Sequence, residues 1–217
     1  MTHEIMNSIA PISSLADTLQ YQVGENLKNP EENALDILDL NEAIGSIKKR
    51  SEGLMKFAKT YRSLNKVTHI NRSNVYVENL FASIERLMKP SLASKHIALN
   101  FDLSNSQLQV KIDSYLIEQV LINLIVNARD ALQGKEGAEV LITAKSTTDG
   151  YTVIKVIDNG NGIPPEIQET IFVPFFTTKK NGSGIGLSLC KQIMMLHKGK
   201  IQIHSEEHKG TAISLLF

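Results

Sequence analysis

The chain has 217 residues, 42% of them hydrophobic, and its 23 Lys and Arg residues balance 23 Asp and Glu residues. This length allows one large domain or two small ones, and zero net charge excludes the strongly basic surface of a typical nucleic-acid-binding protein. One cysteine, Cys190, excludes an internal disulfide and a cysteine-rich zinc site, and no apolar run is long enough to span a membrane. We therefore expect a soluble chain from a reducing compartment.

The first predicted elements are two long helices with a heptad pattern. Apolar residues recur at spacings of 4 and 3 from Ile5 to Val23, as in a helix that packs lengthwise against another. A second helix is predicted from Asn29, a suitable N-cap followed by Pro30, and continues to Tyr61. The predicted structure is an antiparallel hairpin that dimerises into a four-helix bundle. A hairpin packed on the rest of its own chain is the alternative.

After a polar connector at residues 66–72 the pattern changes to mixed α/β. Helices are predicted at residues 75–89, 114–132 and 187–197, and strands at residues 97–101, 108–112, 140–144, 152–157, 200–204 and 212–217. This order predicts a sheet with helices on one face, an α/β sandwich. The fold class is therefore α+β, with a helical hairpin over residues 1–66 and a second domain over residues 67–217.

Polar residues on the apolar helix at 114–132 form the first candidate site. Asn123, Asn127 and Asp130 are spaced i, i+4 and i+7, so they share one face of the helix. Amides on a core-facing surface are costly unless they are hydrogen-bonded. Either a structural network or a ligand or metal site is expected here.

A second candidate follows the strand predicted at residues 152–157. Asp158 continues the face of Ile154 and Val156, which directs its carboxylate toward the interior. Gly160 and Gly162 allow a ligand to approach the backbone, or simply make a turn. A buried carboxylate that accepts a hydrogen bond from an exocyclic amine would select adenine over guanine.

A glycine-rich segment precedes the helix at residues 187–197. Backbone N–H groups at a helix start and nearby lysines suit a polyphosphate, and a mobile linker is the alternative. The glycine spacing matches neither a dinucleotide-binding fingerprint nor a P-loop. The residues concerned are Thr178, Lys179, Lys180, Gly182, Gly184, Gly186 and Leu187. The aromatic cluster at residues 171–176 is expected to be the hinge and anchor of a lid.

The remaining candidate is at the start of the first helix. His3 and Asn7 fall on the outer side of the heptad seam, with Glu4 adjacent. An exposed imidazole suits a nucleophile, the carboxylate suits a proton acceptor, and the amide can position a water. Without the other motifs a chance surface triplet is the better interpretation. Cys190 and the other histidines have no partner at metal-ligand spacing, so we expect surface or packing roles for them.

Together and in this order, the motifs resemble the transmitter module of bacterial two-component sensor histidine kinases over essentially the whole chain. Residues 3–7, 123–127, 158–162, 172–176 and 182–186 are similar to the H, N, G1, F and G2 boxes of that family. The segment from Pro174 to Lys179 resembles the nitrogen-regulation branch. The resemblance implies a HisKA-type dimerisation and phosphoacceptor hairpin, followed by an ATP-binding domain of the GHKL or Bergerat fold that gyrase, mismatch-repair ATPases and a heat-shock chaperone share.

The resemblance also implies roles for the residues of a nucleotide site. Asp158 would bind the adenine amino group, and Asn127 would bind Mg²⁺ with Asn123 beside it. The phosphates would be held by Lys179 or Lys180 and the backbone of residues 182–186, with Thr211 close to the adenine.

The implied activity is that of an ATP-dependent, homodimeric protein-histidine kinase. His3 would be autophosphorylated and would pass its phosphoryl group to an aspartate of a response regulator receiver domain, and Asn7 would support phosphatase activity toward that regulator. The alternatives are a non-catalytic nucleotide-binding dimerisation scaffold and a GHKL-fold ATPase. Asn123 argues against the ATPase, because hydrolytic relatives carry a water-activating glutamate at that position.

Two features depart from the family pattern. Ser8 stands where the family usually has a helix-kinking proline, and the first proline is Pro11. Only two residues precede His3. We therefore expect a cytoplasmic fragment without nucleic-acid or membrane contacts of its own, with any sensor or inner-membrane region upstream.

Overall fold

The structure is a computed structural model that describes residues 2–28, 39–48, 51–53, 70–179 and 182–217. These residues form two compact units. One unit contains the described residues before residue 54 together with Val173–Ile185, and the other contains residues 70–172 and 186–217. No helix among the described residues is long and apolar enough to cross a membrane.

The first unit contains a long amino-terminal helix, α1, which spans Thr2–Lys28 and continues past the end of the heptad pattern at Val23. Helical backbone is also present at residues 39–48 and 51–53, within the second predicted helix. The predicted cap at Asn29 and the boundary between residues 66 and 67 lie outside the described residues. The hairpin is thus described only in part, and its dimerisation stays a prediction.

The second unit is built on a twisted five-stranded sheet and a small two-stranded one. The strands are β1 (Ser73–Tyr76), β2 (Ala98–Leu103), β3 (Gln109–Ile112), β4 (Glu139–Ser146), β5 (Thr152–Asp158), β6 (Lys200–Glu206) and β7 (Gly210–Leu216). The large sheet has the order β2-β4-β5-β7-β6, in which β2 and β4 are parallel and the other neighbours antiparallel. Strand β1, which the sequence pattern does not reveal, pairs with β3.

Helices cover one face of the large sheet. They are α2 (Val77–Ala93), α3 (Ser114–Ala131), the single turn α4 (Pro165–Gln168) and α5 (Gly186–Leu196). Helix α3 contacts α2, α5 and β5, while α2 packs on β2 and α5 on β6. The predicted α/β sandwich is therefore confirmed.

Helix α2 ends later than the pattern predicts. The predicted helix covers residues 75–89, yet the helix begins at Val77 and continues through Pro90 to Ala93. Met88 and Leu92 on either side of this proline are 7% and 0% exposed. Burial of the apolar face therefore outweighs the backbone hydrogen bond that proline cannot make.

Candidate functional site

The carboxylate of Asp158 is the centre of the candidate site. Along β5, Ile154, Val156 and Asp158 are all buried, and Asp158 is only 8% exposed, as the alternation of the strand predicts. The Gly160 N–H donates to Asp158 Oδ1 at 2.9 Å, and a backbone hydrogen bond from Thr211 also reaches the carboxylate. Burial raises the pKa of Asp158 above its ordinary value, while these bonds and the charge of Lys135 act to lower it.

The turn that follows β5, residues 158–162, is called the G1 turn. Only glycine fits at two of its positions, 160 and 162. Gly162 has a φ of +68°, and a Cβ at this residue would overlap the carbonyl oxygen of Glu206. A Cβ at Gly160 would lie 2.8 Å from both the Ala131 carbonyl oxygen and Asp158 Oδ1. The backbone of the G1 turn therefore lies close to the end of α3 and to the β6–β7 connection.

Two polar side chains fasten Ile163, which directly follows the G1 turn, to the β6–β7 hairpin. The Ser205 hydroxyl accepts from the Ile163 N–H at 2.8 Å and lies 2.9 Å from Thr211 Oγ1. Gln168 Nε2 donates to the carbonyl oxygens of Ile163 and Ser205, at 2.7 and 3.0 Å. Sequence reasoning does not identify Ser205 or Gln168, because each acts through contacts that the chain brings together only on folding.

The three polar residues on α3 are half-buried, and they face different partners. Asn123 hydrogen-bonds the buried Cys190 thiol, and its Oδ1 lies beside Gly186 at the start of α5. Asp130 Oδ1 accepts two hydrogen bonds from Arg129, at 3.2 and 3.0 Å. Asn127 lies between them on the same face and takes part in interactions of its own. Burial raises the pKa of Cys190 to about 12, so this thiol stays neutral and has a packing role rather than that of a nucleophile.

Backbone hydrogen bonds join residues of the glycine-rich segment to nearby residues of the same unit. The Phe175 N–H donates to the Gly184 carbonyl oxygen at 2.8 Å, and the Gly182 N–H donates to the Lys179 carbonyl oxygen at 3.1 Å. Thr178 and Lys179 are exposed. Lys180 lies outside the described residues. Lys191 Nζ lies 5.9 Å from the centroid of the Phe172 ring, which precedes this segment in the chain.

The second unit contains most of the residues of the predicted nucleotide site. It contains Asn123, Asn127, Asp130, Asp158, Gly160, Gly162, Gly186, Leu187 and Thr211, whereas Thr178, Lys179, Gly182 and Gly184 belong to the first unit. His3, Glu4 and Asn7 also belong to the first unit, where they lie in α1 and are described by their backbone. The roles predicted for all these residues stay predictions.

Comparison with known proteins relates this arrangement to one family. Residues 112–217 match the family described as histidine kinase-, DNA gyrase B- and HSP90-like ATPase. The chain is 30% identical over 215 residues to the sensor histidine kinase ZraS of Escherichia coli strain K12. That match covers 99% of this chain and 43% of ZraS, so the chain spans less than half of that relative.

Solved structures agree with the family match. The catalytic domain of the histidine kinase ThkA is 32% identical, with a TM-score of 0.62, over 68% of this chain and 95% of that domain. ThkA in complex with the response regulator protein TrrA has a TM-score of 0.65 at 25% identity, over 99% of this chain and 60% of ThkA. The carboxyl-terminal half of this chain, residues 112–217, thus belongs to the histidine kinase-, DNA gyrase B- and HSP90-like ATPase family, in the form found in sensor histidine kinases of two-component systems.

Proposed function

We propose that the chain is the catalytic part of an ATP-dependent protein-histidine kinase whose phosphoacceptor is His3. The observation that carries the proposal is the buried carboxylate of Asp158 beside the glycines of the G1 turn. The adenine amino group is a hydrogen-bond donor, whereas guanine has a carbonyl oxygen at the corresponding position. A carboxylate that still has acceptor capacity after bonding Gly160 and Thr211 therefore suits adenine.

Asn127 is the proposed protein ligand of Mg²⁺. This ion takes oxygen ligands and in nucleotide sites obtains most of them from phosphates and water. Among the described residues, no cluster of three or more His, Cys, Asp or Glu side chains could hold a metal on its own. One amide oxygen on α3 therefore fits an ion that arrives with the phosphates and neutralises their charge. The proposed phosphate-binding groups are Lys179, Lys180 and the backbone of residues 182–186, with Thr211 close to the adenine.

The proposed reaction is an in-line phosphoryl transfer. An imidazole nitrogen of His3 attacks the γ-phosphorus, the bond to the bridging oxygen breaks, and ADP leaves with the electron pair while Glu4 takes the imidazole proton. The Asn123 side chain is hydrogen-bonded to the Cys190 thiol. Because it is an amide, it cannot remove a proton from water. This favours the kinase over the ATPase alternative, because the γ-phosphoryl group is kept for His3.

The proposed assembly is a homodimer formed by the helical hairpin. Val23 and Ile44 occupy heptad positions, and in the single chain they are 39% and 56% exposed. A second copy would cover these side chains in a four-helix bundle. By analogy with the relatives, the proposed partner is a response regulator receiver domain, and the proposed branch is the nitrogen-regulation type. The proposed reaction takes place in the cytoplasm.

The kinase proposal is tested with γ-phosphate-labelled ATP. Incubation with Mg²⁺ and the full chain should place on the protein a label that is stable in base and lost in acid. His3→Gln should abolish the label, and His204→Gln, which changes an exposed histidine on β6, should leave it intact. Label retained in His3→Gln would overturn the phosphoacceptor assignment. Steady phosphate release that does not depend on His3 would instead favour the ATPase, and nucleotide binding without label would favour the scaffold.

The proposed phosphatase activity is tested separately. Asn7→Ala should slow the dephosphorylation of a phosphorylated receiver domain while His3 still becomes labelled. An unchanged rate of dephosphorylation would show that Asn7 does not orient the attacking water.

A further inference from the structure

The loop between α3 and β4, residues 132–138, is fastened to the G1 turn by one residue. Asn159 Oδ1 accepts from the Glu139 N–H at 3.0 Å, and Asn159 Nδ2 donates to the Gly137 carbonyl oxygen at 2.9 Å. The Asn159 backbone N–H also reaches the Glu139 carbonyl oxygen at 3.4 Å. Asn159 directly follows Asp158, so the position of this loop is tied to the position of the carboxylate.

Lys135 is the charged residue that this loop presents to the G1 turn. Its ammonium donates a hydrogen bond to the Asn159 carbonyl oxygen. Among the described residues, Lys135 is also the charged group that acts on the Asp158 carboxylate, and it opposes the effect of burial. The same side chain thus holds the turn and offsets the burial of the carboxylate charge.

Charged groups on the neighbouring elements have partners of their own. Arg129 and Asp130 at the end of α3 pair with each other at 3.0 Å. Glu206 and Lys209 pair across the β6–β7 connection, and the Glu139 carboxylate accepts from Asn100 at 2.7 Å. Among the described residues, Lys135 is the cation that lowers the pKa of Asp158, by less than the hydrogen bonds from Gly160 and Thr211 lower it.

We propose that Lys135 is a positioning residue for nucleotide binding, which holds the G1 turn through the Asn159 carbonyl oxygen and so places the neighbouring Asp158 carboxylate to accept from the adenine amino group. The proposal rests on the proposed function, since it requires Asp158 to meet adenine. A neutral carboxylic acid presents an O–H donor, which opposes the adenine amino donor. A bound base also removes water from the carboxylate, so the nearby cation matters most when the site is occupied.

The test measures MgATP binding to the full chain by calorimetry between about pH 5 and about pH 8. Lys135→Met should weaken binding about threefold to tenfold at the acid end and much less at the alkaline end, because proton uptake by Asp158 then competes with adenine. Lys135→Arg should restore the parent profile. Lys145→Met, which removes the same charge from an exposed position on β4, is the matched control and should also follow the parent.

The outcomes separate this inference from the function on which it rests. The inference is overturned if Lys135→Met and Lys145→Met give the same pH profile, or if Lys135→Arg behaves like Lys135→Met. In those cases Asp158→Asn would still weaken binding strongly, and the proposed nucleotide site would stand. If Asp158→Asn binds MgATP as tightly as the parent chain, the proposed function itself fails.

Discussion

Asp158 and His197 are two buried titratable residues in the same unit, and they differ in how far the protein itself satisfies them. They are 8% and 6% exposed. His197 Nδ1 donates to the Ile193 carbonyl oxygen at 2.8 Å, and Nε2 accepts from the Asp113 N–H at 3.0 Å, so both ring nitrogens are used. Asp158 accepts bonds from Gly160 and Thr211, which leaves free some of the about four acceptor sites of a carboxylate.

The residues around His197 link the end of α5 to the start of α3 by hydrogen bonds. Arg72 donates to the carbonyl oxygens of Leu196 and His197 at the end of α5, at 3.3 and 3.4 Å. Asp113 caps α3 by accepting from the Leu116 N–H, and its other carboxylate oxygen accepts from the Asn71 N–H. The His197 ring and the Asp113 carboxylate thus have partners within the chain, as expected of packing residues.

Burial acts in the same physical way on both residues. It disfavours the charged form, so the pKa of Asp158 is raised and the pKa of His197 is lowered. At His197 the charge of Arg72 adds to this lowering, while the hydrogen bond to Ile193 and the charge of Asp113 oppose it. The shifts alone therefore do not distinguish a ligand site from a structural one. The remaining hydrogen-bonding capacity does, and variants of Asp158 and His197 test this distinction.

The largest effect is expected at the G1 turn. Gly162→Ala should lower the free energy of unfolding by about 3 kcal/mol or more, because the new Cβ meets the Glu206 backbone and the residue has positive φ. Gly150→Ala is the matched control, since Gly150 has a φ of +81° and nothing within 4 Å of its Cβ position. Chemical denaturation should show a cost of only about 1 kcal/mol there. Equal costs would mean that the turn is not closely packed.

The second effect is on binding rather than on stability. Asp158→Asn should weaken MgATP binding about 100-fold, because an amide nitrogen would face the adenine amino group. Stability should be kept or slightly increased, because the buried charge is removed while an oxygen can still accept from Gly160. Asp102→Asn on the exposed face of β2 is the control. A parallel loss of stability and binding would make Asp158 a structural residue like His197.

The third effect is the reverse of the second. His197→Ala should lower the free energy of unfolding by about 2 kcal/mol, since it removes a buried ring and leaves the Asp113 N–H without its partner. MgATP affinity, measured on the folded variant, should stay within about twofold of the parent value. His204→Ala at an exposed position should have little effect on either quantity. A selective loss of affinity in His197→Ala would contradict the structural role.

The sequence predicts the sandwich and the placement of Asp158 and of the polar face of α3 because these depend on local periodicity. The alternation of residues 154, 156 and 158 places the Asp158 carboxylate inward, and the spacing of residues 123, 127 and 130 places these residues on one helix face. Ser205 and Gln168 could not be predicted in this way, since Ser205 bonds Ile163 from 42 residues away and Gln168 bonds the Ser205 carbonyl oxygen from 37 residues away. Asn159 and Lys135 likewise act across two segments, and β1 is too short to carry a pattern of its own.

The smallest effect is a dependence of stability on pH. The unfolded chain binds a proton on His197 as the pH falls below its ordinary pKa of 6.5, whereas the folded chain binds it only at the lowered pKa. Stability from the neutral ring is therefore present above pH 6.5 and lost as the pH falls below it. The parent chain should lose about 1 kcal/mol more than His197→Ala between about pH 7 and about pH 5 by urea denaturation.

Asp158 should have the opposite pH dependence. Its pKa in the folded chain is above the ordinary 3.8, so on acidification the folded state binds the proton first and stability increases through that window. Asp158→Asn should lack this gain, just as His197→Ala lacks the loss. If both variants changed the pH dependence of stability in the same direction, either the lowered pKa of His197 or the raised pKa of Asp158 would be wrong. Opposite signs would show that one physical cause, the burial of charge, acts on a residue kept for a ligand and on a residue fully satisfied by the fold.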